Sequence, residues 1–186
     1  MGKAEQGIAE NRRSQQLDPL SPIDGVVLGQ MLWYARRYDE GIQELRKALD
    51  LDQANEQVHI ELGHCYASKG LFAMAIAEFE KARSLEDTIA EPLAELGWTY
   101  ALEGNKAEAR KVLGELQERA KRSHVSNYLI AIVYAALGDK DQAFAFLDKA
   151  YQYRSWYLSS AKVSPELDTL RSDPRFQNLL SRLGLR

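Results

Sequence analysis

The chain has 186 residues, 45% hydrophobic and 27% charged, which supplies apolar material for a sizeable core and too little polar bias for disorder. A net charge of −3 leaves no basic excess to set against phosphates, so neither nucleic acid nor an anionic membrane surface is an expected partner. The single cysteine, Cys65, excludes an intrachain disulfide framework and a multi-cysteine metal site, and reads as a small core residue.

Met1 to Glu10 lacks the apolar core of a signal peptide, and Gln6 stands where an N-myristoylation pattern requires Ser or Thr. No stretch nears the roughly 18 apolar residues of a membrane span. A cytoplasmic location is the expectation.

In chain order, residues 5–19 read as a helix closed by Leu17-Asp18-Pro19. Apolar residues at helical spacing, such as Leu28, Met31 and Leu32 or Ala143, Phe146, Leu147 and Ala150, then predict four helix pairs. These run 22–35 with 39–51, 56–69 with 72–84, 90–103 with 106–119, and 124–137 with 140–152. From Arg154 the pattern stops. Ser164-Pro165 and Asp173-Pro174 each set an N-cap residue before a proline, predicting two short helices at about 165–171 and 174–183. This tail is expected to cap the last apolar face of the array. Residues 154–186 carry six Lys or Arg and three Asp or Glu, whereas residues 22–153 carry fifteen and twenty-one, so a minor attraction between them is expected.

The pairs repeat at a constant step. Gly29, Gly63, Gly97 and Ala131 recur in register, each after an aliphatic residue, with Leu32, Tyr66, Tyr100 and Tyr134 at the third place on. A second small position gives Gly41, Ala75, Ala109 and Ala143, followed at the fourth place on by Leu45, Phe79, Leu113 and Leu147. Small residues at these places let two antiparallel helices approach closely. Gly70, Gly104 and Gly138 end the first helix of their pairs, where a left-handed residue satisfies the terminal carbonyls, and Arg36 replaces the glycine in the first pair.

The pattern resembles the tetratricopeptide repeat (TPR) family, whose unit reads W-x₂-L-G-x₂-Y, A-x₃-F and P over about 34 residues. The resemblance implies an all-α fold, a right-handed α-solenoid of antiparallel helix pairs (TPR superhelix) with C-terminal capping helices. The domain reading is 1–21 as the second helix of a partial upstream repeat, with Gly7 and Ile8 in the small-apolar slot. Repeats follow at 22–55, 56–89, 90–123 and 124–157, then a cap at 158–186. An array entered in mid-repeat implies a missing upstream unit or domain. The closing proline becomes Gln53, Asp87 and Lys121, and the third repeat carries Leu116 and Gly114, so its geometry is expected to shift, with a longer 117–123 link.

The resemblance also implies a function, a protein-protein interaction scaffold and not an enzyme. In the family the first helix of each pair lines a concave groove, and the matching positions give the candidate partner-binding residues Val26, Gln30, Trp33, Tyr34, Ile60, His64, Trp98, Tyr128 and Ile132. The matched groove positions hold no Lys or Arg, which disfavours a clamp for a C-terminal carboxylate. An apolar helical or extended segment is the expected ligand, supplied by another protein, an upstream domain or a second copy of this chain. The tail, from Leu170 to Gln177 with Leu179-Leu180, resembles the closing segment of bacterial TPR arrays. In that group such arrays are attached to serine/threonine kinases or winged-helix transcription regulators, so the alternative is a regulatory module of a larger signalling protein.

No cofactor or metal is implied. His59 and His64 are five positions apart and share no helix face, and Glu61 completes no H-E-x-x-H motif. Asp and Glu are expected mostly at outward positions, as in Asp39-Glu40 and Asp139-Asp141, where helix-dipole and solubility roles suffice.

Overall fold

The computed structural model describes residues 3–185. Met1-Gly2, on which the acylation pattern was judged, lies outside them. The described residues form ten α-helices and two 3-10 segments, with no strand. The helices are α1 (Lys3–Leu17), α2 (Pro22–Tyr34), α3 (Tyr38–Leu51), α4 (Glu56–Ser68), α5 (Phe72–Leu85), α6 (Glu91–Glu103), α7 (Lys106–Ala120), α8 (Asn127–Leu137), α9 (Lys140–Gln152) and α10 (Pro174–Arg182). The 3-10 segments are Trp156–Ser160 and Pro165–Leu170. The chain divides into two compact units, the first ending at Thr88 and the second starting at Ile89.

In the first unit α2 packs on α3 and α4 on α5, and α3 and α2 both adjoin α4. The small residues set these approaches. A Cβ built at Gly63 would stand 2.5 Å from the Phe79 ring, and one at Gly41 would meet Cys65 Sγ at 3.0 Å. Cys65 is therefore interhelical filler, and burial followed by the nearby Glu61 charge pushes its thiol well above the ordinary range. Such a thiol is no nucleophile at neutral pH.

In the second unit α6 packs on α7 and α8, and α8 on α9. A Cβ at Gly97 would meet Val112 Cγ1 at 2.9 Å, with Val133 just beyond. Gly104 and Gly138 cap α6 and α8 in the left-handed conformation, with φ of 90° and 86°. Gly70 in the first unit has φ of 75°, and Arg36 and Arg154 take the same region as non-glycine residues, at 63° and 53°. Gly114 lies within α7, which runs unbroken to Ala120, and a Cβ built there would meet nothing within contact distance.

The tail forms the two expected elements, a 3-10 segment at Pro165–Leu170 and α10 at Pro174–Arg182. Its sequence breaks the repeat pattern, yet its contacts keep the spacing. Arg175 pairs with Asp141 at 2.8 Å, Arg182 with Asp148 at 2.6 Å, and the Thr169 hydroxyl donates to the Ala135 carbonyl at 3.1 Å, each across 34 positions. The tail thus packs as a further helix pair, with α10 as its second helix and the two 3-10 segments where a first helix would run. Pro165 stands one full repeat step after Ala131, inside that first helix, where it lacks a donor and clashes with the preceding turn. The helix is consequently replaced by short 3-10 turns. Asp173 caps α10 through the Arg175 backbone amide, whereas Ser164 makes no side-chain cap bond.

Candidate partner-binding surfaces

The first-unit candidates fall on α2 and α4 and separate into two layers. Trp33, Ile60 and His64 are buried, while Val26, Gln30 and Tyr34 remain partly exposed on α2. The buried layer is polar at its centre. Gln30 Nε2 and Gln57 Nε2 donate to Glu61 Oε1 at 2.8 and 3.2 Å, and His64 Nδ1 lies 3.3 Å from Glu61 Oε2. The His64 ring stacks on Trp33 with centroids 4.3 Å apart, and the Trp33 indole donates to the Ser68 hydroxyl at 2.8 Å.

This arrangement satisfies a carboxylate that has no access to solvent, as a buried charge requires. It holds α2 and α4 together. Trp33, expected as an open anchor, is a packing residue whose polar edge is already engaged. His59, set aside above, pairs with Glu78 at 2.6 Å. It belongs to the α4–α5 contact.

The second-unit candidates Trp98, Tyr128 and Ile132 are all buried. The tail covers Tyr128. The Tyr157 ring stacks on Tyr128 with centroids 5.3 Å apart and an interplanar angle of 6°, and its hydroxyl donates to Glu91 Oε2 at 2.7 Å. Beneath it, the hydroxyls of Tyr128 and Ser164 both donate to Glu166 Oε2 at 2.7 Å. Burial, then the charges of Glu91, Glu95 and Glu166, hold the Tyr157 phenol protonated far above its ordinary range.

The expected apolar channel of Trp33, Ile60, Trp98, Tyr128 and Ile132 is therefore not open surface. The sequence reading also missed Glu61, Glu95 and Glu166, which are buried rather than outward. A signal was present for two of them. Glu61 and Glu95 occupy the same repeat position, each between an apolar residue and a leucine in the middle of a helix.

Helix pairs that pack side by side at a fixed step in sequence define a repeat scaffold. Two tetratricopeptide repeat models match, one over residues 26–88 and the other over residues 125–155. The chain belongs to the tetratricopeptide repeat family. It is a protein-interaction scaffold.

Two solved structures share the fold. The crystal structure of MamA is 19% identical with a TM-score of 0.53, over 85% of this chain and 92% of that one. The structure of YrrB, described as a TPR protein with an unusual peptide-binding site, is 14% identical with a TM-score of 0.53, over 92% of this chain and 89% of that one. No curated protein matches the chain by sequence. Among the described residues no helix is long and apolar enough to cross a membrane.

Proposed function

We propose that the chain binds an apolar helical or extended segment of a partner protein along the open stripe of α2. The observation that carries this reading is the exposure of Ile23 together with the partial exposure of Val26, Gln30 and Tyr34. These four residues are spaced three or four apart, so they form one line along the helix. Apolar residues at both ends offer anchor contacts, and Gln30, whose amide nitrogen is committed to Glu61, ties the middle of the stripe to the floor beneath it.

Beneath the stripe, the Glu61 network and the Trp33–His64 stack form a stiff floor, which lowers the ordering that a ligand must supply. The peptide-binding site of YrrB, a relative in fold alone, supports the same use of the architecture here. The partner segment is apolar in this reading because the stripe carries no charged side chain.

Panning a random-peptide library against the purified protein tests it. Enriched peptides should share apolar anchors, and Tyr34→Glu or Val26→Glu should weaken their binding at least ~10-fold, a difference of about 1.4 kcal/mol. Enrichment without an apolar consensus, or binding indifferent to both variants, would overturn the assignment. The alternative, a regulatory module of a larger signalling protein, rests on the tail resemblance. Those tail residues have a packing role in the second unit, so the scaffold reading is preferred.

A further inference from the structure

The most exposed large apolar side chains among the described residues gather at two places. Leu17, Leu20 and Ile23 are 88%, 74% and 69% exposed at the corner between α1 and α2. Tyr153 and Trp156 are 75% and 67% exposed on either side of Arg154, where α9 hands over to the tail. Every other exposed large apolar residue is at most 45% exposed. Exposed aromatics and arginine at one spot are the composition of an interface centre, not of a solvent-facing turn.

The two places also differ in charge. Between Ser14 and Gly29 the only charged residues are Asp18 and Asp24, with Glu44 and Lys47 beside Pro19, and between Lys149 and Pro165 they are Lys149, Arg154 and Lys162, with Arg182 beside Arg154. The first unit as a whole carries ten Lys or Arg against fifteen Asp or Glu, and the second fourteen against twelve. Their shapes differ as well. Trp156 and Arg154 border a cleft of about 560 Å³ that no acidic side chain lines. The α1–α2 corner offers a projecting leucine pair and an aspartate.

We infer that a second copy of this chain is the occupant, and that the protein self-associates head to tail. The Leu17-Asp18-Pro19-Leu20 corner of one copy enters the cleft beside Tyr153, Arg154 and Trp156 of the next. Leucine packs on the exposed rings, and Asp18 meets Arg154. The contact joins two different surfaces, so it is heterologous, and each added copy brings an unused surface of the kind just consumed. The inference rests in part on the proposed function, because Ile23 belongs to both surfaces.

Sedimentation velocity from about 1 µM to about 1 mM tests it, a range that spans weak to moderate association. The average mass of the native protein should rise with concentration and fall back at high salt. Trp156→Ala and Leu20→Asp should each stay monomeric, with circular dichroism showing an intact fold. Mixing those two variants should give a dimer that grows no further, since each retains one good face. Arg154→Asp should abolish association, and Asp18→Arg on the same chain should restore it.

A native protein that remains monomeric throughout, or a mixture that fails to dimerise, would overturn the inference. Tyr34→Glu separates the two readings. It should lose library peptides and keep self-association, whereas Trp156→Ala should do the reverse.

Discussion

The two units of this chain treat the same helix face in opposite ways. In the first, α2 keeps Val26, Gln30 and Tyr34 partly in solvent above a buried Glu61 network. In the second, the tail lays Tyr157 across Tyr128 and bonds it to Glu91, so the face is already occupied. A repeat register thus specifies where a side chain points, and only the neighbouring elements decide whether anything can reach it.

The sharpest way to break this contrast is to exchange buried for open residues. Trp33→Ala should destabilise the protein by about 3–5 kcal/mol in denaturant titrations, the usual range for a fully buried large aromatic. Tyr34→Ala, at the next position, should fall well below that and act on binding instead. Equal losses for the two would remove the distinction between floor and stripe.

Next in size is a change at a left-handed cap. Gly138→Ala forces a Cβ into a conformation that costs about 1–2 kcal/mol. Arg154→Gly should shift stability the opposite way, by about 0.5–1 kcal/mol, measured by the same titration. Tyr157→Phe keeps the stack and deletes the donor to Glu91, for an expected loss of about 1 kcal/mol. A neutral result would mean that the stack and the other tail contacts hold the tail over the second unit without this bond.

The smallest expected effect is a pH slope. Asp173 is held at about 2, first by the Arg175 side chain and then by the Arg175 backbone amide it caps. Its folded value lies below the unfolded one, so the contribution is present above about pH 4 and is lost as pH falls toward 2. Asp173→Asn should flatten acid unfolding in that window when far-UV circular dichroism is followed against pH. An unchanged slope would place the acid sensitivity elsewhere.

Much of the fold was legible because close helix approach leaves few choices. Gly63 opposite Phe79 and Gly97 opposite Val112 are small for steric reasons, and those reasons recur at a constant step. The tail's two elements were legible from Ser164-Pro165 and Asp173-Pro174, but its place in the repeat lattice was not, because Pro165 starts a short turn where the middle of a repeat's first helix would stand. The groove was misread for a related cause. Trp98, Tyr128 and Ile132 occupy groove positions by register yet are buried, and for Tyr128 the cover is a tail segment that lies outside the register in sequence. Glu61 was not legible as buried because Gln57 and His64 at helical spacing are equally compatible with an exposed face, and the Gln30 that closes the network comes from α2.

The tail's repeat-spaced contacts have a consequence for growth and engineering. Arg175, Arg182 and Thr169 address Asp141, Asp148 and the Ala135 carbonyl as a neighbouring repeat would. A terminator that obeys the lattice of the array is interchangeable with a unit of it. Whole repeats could be inserted ahead of the tail, with its acidic contacts supplied by the new last unit, and the array would lengthen without a new end being invented.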